Sequence, residues 1–421
     1  MATEDFKRVR EIRAEAEKRG IYSVFTPRHP VDRAEYFRGR EAQVASCYAS
    51  MLEVGSHILI YGDRGVGKTS LATVACERAT DDANPKPQVC QVNCDAKSTF
   101  HSIWASVLTR LGVEGNVVAK TKEKTEGGGF ELNAAVAKGG ADTHTTSRED
   151  VETFHQSELT PSSVAQLIDD FDENRHGLIV IDEIDRLPDE VDRQLMADLM
   201  KQLSDRRTPT TLVLVGIAQT AGDLLAGHPS SQRSLTQVRL DRMDSNEIRE
   251  ILEKGSSACD IGFADDVVDR IVDFSAGYPH FAHLLGQKCA YHAIRLRDYH
   301  VHSHELSYAL QDAVKEAEES LRIAYSDATS SAQAAGYTEI LHALAYIPST
   351  VFSKDDCRRY IQSYTKQDVN ETLLDNAVRR FVAEDDSAVL KRVGSGLYCF
   401  TDPRMPSFLK MMDQSQPKKA V

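Results

Sequence analysis

The stretch HILIYGDRGVGKTSLATVACERA, residues His57–Ala79, decides the fold. An apolar run of strand length, His57–Gly62, leads into the pattern GxxxxGK[ST] over Gly62–Thr69, and a helical pattern follows. Glycines in this pattern let backbone N–H groups turn toward phosphates, and the next helix adds its positive N-terminal end. The stretch therefore predicts a strand, a phosphate-binding loop and a helix in succession.

Each residue of this loop is a candidate nucleotide contact. Lys68 would reach the β- and γ-phosphates of ATP, and the Thr69 hydroxyl would bind Mg²⁺. The alternative is a glycine-rich turn without a ligand. The candidate contacts are Gly62, Asp63, Arg64, Gly65, Val66, Gly67, Lys68, Thr69 and Ser70.

A second buried strand ends on two adjacent carboxylates, Asp182 and Glu183, after the apolar run Leu178–Ile181. In a parallel sheet such a strand delivers them to the carboxyl edge, where nucleotides bind. Asp182 would hold Mg²⁺, and Glu183 would orient and deprotonate the attacking water. Two solvated carboxylates at a strand end are the alternative. The pair disfavours a small-molecule kinase, because an activated water would take the phosphoryl group in place of the acceptor substrate.

Strands alternating with helices up to Met243 predict an α/β core with a parallel sheet. A helical unit without strands should follow, and then three helices and two short strands around Gly394–Gly396, the outline of a winged helix. The predicted parts are a lead-in (1–45), the core (46–243, with an inserted loop or hairpin at 112–158), a helical lid (244–330), the winged helix (331–412) and a tail (413–421).

Composition favours a cytoplasmic protein with reduced cysteines. The eight cysteines lie far apart, without a CxxC pair, and the chain has no apolar run long enough to span a membrane. The formal charge of −14 argues against a protein that binds nucleic acid over most of its surface. Most of this negative charge is local, however, since residues 148–205 hold sixteen Asp/Glu and five Lys/Arg. Any DNA-facing surface should therefore lie away from this segment.

Together these motifs resemble the AAA+ ATPases, and specifically the initiator clade related to origin-recognition proteins, over about residues 22–410. The box FRGRE, ending in Arg40 and Glu41, resembles the segment that lines the adenine site, so the resemblance implies a nucleotide contact at Arg40. LVGIAQT resembles the sensor-1 strand and puts Gln219 at the catalytic position usually held by Asn. HPSSQRSL resembles the segment that supplies an arginine finger to a neighbouring subunit, with Arg233 as the candidate.

The lid has features of the related STAND ATPases. Gly277-Tyr278-Pro279 resembles their Gly-x-Pro motif, which packs on adenine, and no arginine occupies the sensor-2 position. The resemblance therefore implies nucleotide contacts at Gly277 and Pro279 and a slow, switch-like ATPase. His280 is either a packed lid residue or a further contact.

The predicted winged helix offers basic side chains for duplex DNA: Arg379 and Arg380 on its third helix, and Lys391 and Arg392 on its wing. Residues 336–413 carry ten Lys/Arg against eleven Asp/Glu, without the surplus that DNA binding favours, so a protein-docking or lid-packing role is the alternative. The resemblance also implies a partner contact in the 112–158 insert.

Two hypotheses follow from the residues and the resemblance. The first is an oligomeric, DNA-associated ATPase that uses ATP and Mg²⁺ in replication, mobile-element or defence machinery. The second is a nucleotide-gated scaffold that regulates a protein partner without touching DNA. Both require the same phosphate site.

Overall fold

The computed structural model describes residues 2–113, 159–172, 176–218, 220–224, 235–330, 334–382 and 388–415. Within these ranges no helix combines the length and apolar character that a membrane span needs. All eight cysteines are buried and free. The predicted insert lies almost entirely outside the described residues.

Five parallel strands form the central sheet of the first unit. They are β1 (His57–Gly62), β2 (Gln88–Asn93), β3 (Gly177–Asp182), β4 (Thr211–Ile217) and β5 (Leu235–Leu240). Their order is β2–β3–β4–β1–β5. In β3, Leu178 and Val180 pack into one hydrophobic core, whereas Ile179 and Ile181 pack into a second core on the other face. Burial on both faces explains the unbroken apolar runs of the sequence and confirms the predicted α/β class.

Helices flank the sheet and precede it. They are α1 (Ala2–Lys18), α2 (Ile21–Val24), α3 (Glu41–Met51), α4 (Lys68–Asp82), α5 (Phe100–Leu111), α6 (Pro161–Asp172) and α7 (Glu190–Arg206). Short 3₁₀ turns cover Ile184–Arg186 and Ala221–Asp223.

The lead-in after α2 is anchored to the following helical unit by Phe25, which is fully buried. A Cβ atom on Gly255 would lie 2.1 Å from Phe25 Cζ, and one on Gly286 would lie 2.5 Å from Phe25 Cε1. Only glycine at these two helical positions lets the ring pack so closely. The anchored segment then passes α4, where the backbone N–H groups of Val31 and Ala34 donate to Ser70 Oγ (3.0 Å) and Glu77 Oε2 (2.7 Å).

The second unit is mainly helical. It contains α8 (Ser245–Cys259), α9 (Asp265–Ser275), α10 (Pro279–Leu296), α11 (Ser303–Lys315) and α12 (Glu319–Thr329). The expectation of a strand-free unit is wrong in one detail, since β6 (Gly262–Phe263) pairs in parallel with β7 (His300–Val301). Two residues a strand are too few to leave an alternating pattern in the sequence.

The last unit has the predicted three helices followed by a hairpin. Its elements are α13 (Ala334–Leu344), β8 (Phe352–Ser353), α14 (Lys354–Thr365), α15 (Glu371–Phe381), β9 (Leu390–Gly394), β10 (Leu397–Phe400) and α16 (Met405–Ser415). The sheet order is β8–β10–β9, so a short third strand joins the hairpin. The helix α16 was not predicted; it contacts α9 and α11 and so ties this unit to the helical one.

Candidate functional site

The glycines of the phosphate loop have backbone conformations that other residues rarely adopt. Gly65 and Gly67 have φ values of 84° and 96°. A Cβ atom on Gly62 would lie 2.2 Å from the carbonyl oxygen of Leu240, which forbids a side chain there. The loop therefore needs glycine for its path, and that path ends at the N-terminus of α4.

The side chain of Lys68 curls back over this loop. Only 9% of the residue is exposed, and Nζ donates hydrogen bonds to the carbonyl oxygens of Gly62 (3.1 Å) and Asp63 (2.7 Å). Burial lowers the pKa of Lys68 to about 8, although Asp185 and Asp182 act in the opposite direction. A phosphate in the loop would replace the carbonyls and favour the protonated amine.

This pKa predicts a pH dependence of anion binding. Below about pH 8 the Lys68 amine is already protonated in the nucleotide-free protein. Above this pH the amine must take up a proton when an anion binds. The dissociation constant of a nucleotide should therefore rise about tenfold between pH 7 and pH 9. Calorimetry at pH 9 in two buffers of different ionisation enthalpy should show uptake of about one proton. A constant affinity across this range would contradict the assignment.

The two predicted metal ligands meet across the sheet edge. The Thr69 hydroxyl donates a hydrogen bond of 2.7 Å to Asp182 Oδ2, and Asp182 Oδ1 accepts one of 2.8 Å from the backbone N–H of Glu183. Asp182 is 5% exposed, and its burial raises its pKa. A hydroxyl and a carboxylate oxygen this close are the hard oxygen ligands that Mg²⁺ prefers.

The side chain of Glu183 is held by a residue that the sequence did not single out. Arg186 Nη1 lies 2.9 Å from Glu183 Oε2, and both side chains are about half exposed. The backbone of Glu183 is left-handed, with φ 57°, which turns the chain sharply after β3. Asp185 Oδ1 accepts a hydrogen bond of 2.8 Å from the N–H of Ile217 and so ties the ends of β3 and β4 together.

An open cleft of about 490 Å³ lies over these groups. Its floor is formed by residues 64–70 of the phosphate loop and by Asp182, Glu183, Asp185 and Arg186. Its walls come from the lead-in and from the second unit, through Thr26, Pro27, His29, Tyr36, Phe37, Arg38, Met243, Pro279, His280 and His283. Of the predicted lid contacts, Pro279 lines the cleft. His280, for which the sequence left two roles open, lines it as well.

A family model described as the AAA ATPase domain matches residues 36–215, the segment that contains the phosphate loop and the acidic strand. Residues 36–215 form an AAA ATPase domain. The predicted AAA+ resemblance is thereby confirmed for this segment, and the STAND-like lid stays a prediction. Among the curated proteins, no match is found.

Solved structures share the fold of the AAA ATPase domain and of the units after it. The ORC2 protein of Aeropyrum pernix is 14% identical, with 93% of this chain and 96% of that chain covered at a TM-score of 0.52. A Walker-type ATPase of Pyrococcus abyssi is 16% identical, with 91% and 99% covered at 0.51. Cdc6p from Pyrobaculum aerophilum is 15% identical, with 94% and 99% covered at 0.48. The first two similarities show a common fold.

Two residues that the resemblance placed at the nucleotide do not line the cleft of the AAA ATPase domain. Arg40 is 4% exposed and donates a hydrogen bond to the carbonyl oxygen of Asp241, so its guanidinium fastens the lead-in to the end of β5. Gly277 packs on the backbone, since a Cβ atom there would lie 2.6 Å from the carbonyl oxygen of Met243. Arg38, two residues before Arg40, is the arginine of the box that lines the cleft.

Two catalytic candidates, Gln219 and Arg233, lie outside the described residues and stay predictions. Two other arginines near the end of β5 have partners in the same chain. Arg239 forms an ion pair of 3.0 Å with Asp241, and the Arg242 guanidinium lies 4.7 Å from the ring centre of Tyr278.

The predicted DNA contacts of the last unit differ in their availability. Arg380 donates hydrogen bonds to the carbonyl oxygens of Ala328 (3.0 Å) and Ser330 (2.8 Å), so it closes the end of α12 and is a poor candidate for DNA. Arg379, Lys391 and Arg392 are exposed. Three of the four predicted side chains are therefore accessible to solvent, although Arg392 Cζ also lies 5.8 Å from the ring centre of Tyr398.

Proposed function

We propose that the AAA ATPase domain binds ATP with Mg²⁺ in this cleft and hydrolyses it slowly, so that the bound nucleotide acts as a switch. The observation that carries the proposal is the contact of 2.7 Å between Thr69 and Asp182, directly beside Glu183 and the phosphate loop. A hydroxyl, a buried carboxylate and a neighbouring exposed carboxylate are the groups that phosphoryl transfer to water requires.

Each of these residues has one task in the proposed reaction. The loop N–H groups and Lys68 hold the β- and γ-phosphates, while Glu183 accepts a proton from the attacking water. Thr69 and Asp182 would hold Mg²⁺, which neutralises charge that develops on the phosphates. Asp185 keeps the end of β4 beside the end of β3, close to Glu183.

The pairing of Glu183 with Arg186 supports a slow reaction. Arg186 Nη1 donates to Glu183 Oε2 at 2.9 Å, so the guanidinium competes with water for one of the two carboxylate oxygens. A partner that attracts Arg186 would free this oxygen for the attacking water and accelerate hydrolysis. This arrangement fits a switch better than a fast motor.

We propose further that the protein acts as an oligomer on DNA-associated machinery. The exposed side chains of Arg379, Lys391 and Arg392 support a phosphate contact by the last unit, which also has the element order of a winged helix. An oligomer would allow Arg233 to reach a neighbouring site. The ORC2 protein with the same fold was solved in ADPNP–ADP complexes, which supports adenine nucleotides as the ligand.

The alternative is a nucleotide-gated scaffold without DNA binding. It is favoured by Arg380, which is engaged with the carbonyls of α12, and by the near-neutral charge of residues 336–413. A protein partner would then bind or dissociate according to the position of the last unit.

The ATPase rate and DNA affinity, each measured at about 50 mM and about 200 mM salt, separate the two functions. For the DNA-associated ATPase, duplex DNA should raise the rate, and more at the lower salt. Replacing Lys391 and Arg392 together by glutamine should lower the salt slope of DNA affinity by about 2. Lys366→Gln, in the same unit, is the control and should change neither the stimulation of the rate by DNA nor the salt slope of DNA affinity. A rate indifferent to DNA at both salts would contradict this function and favour the scaffold.

A further inference from the structure

The outer side of the phosphate loop is in contact with a buried arginine of the last unit. Arg404, between β10 and α16, is 3% exposed. A Cβ atom on Gly65 would lie 3.2 Å from Arg404 Cδ, so the arginine stem packs directly against the loop. Gly65 also lines the cleft but Arg404 does not, so Arg404 reaches the loop from outside the nucleotide site.

All three nitrogens of the Arg404 guanidinium are engaged. Nη1 and Nη2 donate to the two carboxylate oxygens of Glu318, at 2.5 and 2.9 Å. Nε and Nη2 donate to the two oxygens of Asp402, at 3.0 and 2.7 Å. A buried guanidinium with two bidentate carboxylates is geometrically fixed. Arg404 therefore holds Glu318 at one position.

Glu318 has a second cationic partner, and that partner belongs to the phosphate loop. Arg64 Nη2 lies 3.3 Å from Glu318 Oε2. Glu318 immediately precedes α12, so three units meet at its carboxylate. Because Arg64 also lines the cleft, an anion bound there would compete with Glu318 for the same guanidinium.

We propose that Glu318, fixed by Arg404, is a latch that holds the last unit on the empty phosphate loop, and that nucleotide binding releases it. The phosphates attract Arg64 away from Glu318, which removes one of the contacts that keep the last unit docked. Rearrangement of ion pairs and hydrogen bonds is the only chemistry involved. The proposal rests on the proposed nucleotide site and adds its regulation.

Thermodynamic linkage fixes the sign of the effect. If docking keeps Arg64 on Glu318, docking opposes nucleotide binding, and nucleotide binding must oppose docking by the same factor. The pair of Arg64 and Glu318 is partly exposed, with 55% and 40% of the side chains accessible, so its effect is modest. Glu318→Gln should therefore tighten ADP binding about fivefold.

The docking of the last unit can be measured without relying on activity. Lys97 and Ser395 are exposed and lie in the first and last units, whereas the native cysteines are all buried. Spin labels on Lys97→Cys and Ser395→Cys would report the distance between the two units by pulsed electron resonance. In the otherwise unaltered protein, saturating ADP with Mg²⁺ should widen the distance distribution.

Two variants and one control complete the test. Glu318→Gln should widen the distribution without nucleotide, and Arg404→Lys, which loses the bidentate contact, should do the same if the first variant does not fold. Glu371→Gln is the control, because it breaks another bidentate pair, with Arg358, inside the last unit. It should change neither the distance nor the ADP affinity.

The outcomes separate the latch from the nucleotide site. An ADP affinity that stays constant or weakens in Glu318→Gln overturns the latch, and so does an unchanged distance in both variants. If the unaltered protein binds no nucleotide, the proposed function fails, whereas the nucleotide-free distances of the variants still decide whether Glu318 and Arg404 hold the last unit in place.

Discussion

Replacing Glu183 by glutamine is expected to lower the rate of ATP hydrolysis by about 10²- to 10⁴-fold while ATP still binds. Glutamine keeps the size and polarity of the side chain but cannot accept the proton of the attacking water. Glu183 and its partner Arg186 are both about half exposed, so loss of this solvent-screened pair should leave the variant folded. Bound ATP should accumulate in the variant.

The control for this experiment is Glu190→Gln. Glu190 is exposed in the first turn of α7, seven residues beyond Glu183, and does not line the cleft. Its replacement should leave both the rate and ATP binding unchanged. If Glu183→Gln hydrolysed ATP as fast as the unaltered protein, Glu183 would not be the base.

Replacing Lys68 by alanine is expected to weaken ATP binding by about 10- to 100-fold, which corresponds to losing charge-assisted hydrogen bonds to phosphate. The amine is the one side-chain cation whose nitrogen lies on the loop carbonyls of Gly62 and Asp63 in the described structure. Alanine removes a buried charge and leaves the helix α4 intact, so the fold should persist.

The affinity of the Lys68 variant is best measured by titration with a fluorescent ATP analogue. Lys97→Ala removes an exposed lysine after β2 and should keep the original affinity. Circular dichroism should show equal helix content in both variants. Equal affinity in Lys68→Ala and the unaltered protein would remove Lys68 from the site.

The phosphate site was predictable because its determinants are local. Glycine spacing defines the loop, and the apolar runs before Gly62 and Asp182 define two strands of one parallel sheet. Since parallel strands end at the same edge, the meeting of Thr69 with Asp182 follows from the sequence although 113 residues separate them.

Contacts between units were not predictable in the same way. Glu318 and Arg404 are 86 residues apart, and Arg64 and Glu318 are 254 residues apart. Glu318 and Arg404 lie in no motif, because a single charged residue beside a helix end looks like any solvated side chain. The loop motif that contains Arg64 does not indicate which carboxylate its side chain meets. The role of Arg380 at the end of α12 was missed for the same reason, since its partners are backbone carbonyls of another unit.

The walls of the cleft show an intermediate case. The resemblance selected the box around Arg40 and the motif around Pro279, and both lie beside the cleft. The individual contacts differ, because Gly39 between the two arginines has a left-handed φ of 75° and packs on Glu247. Arg38 lines the cleft, whereas Arg40 lies on the backbone of Asp241.

The most direct test of the central claim is phosphate release in a single turnover of the unaltered protein, with ATP bound before Mg²⁺ is added. If Thr69, Asp182 and Glu183 form the catalytic cluster, release should begin on addition of Mg²⁺ and stop with a chelator. In Glu183→Gln it should be slower by at least about 10²-fold with ATP still bound. Phosphate release that is independent of Mg²⁺, or equal in Glu183→Gln, would contradict the account.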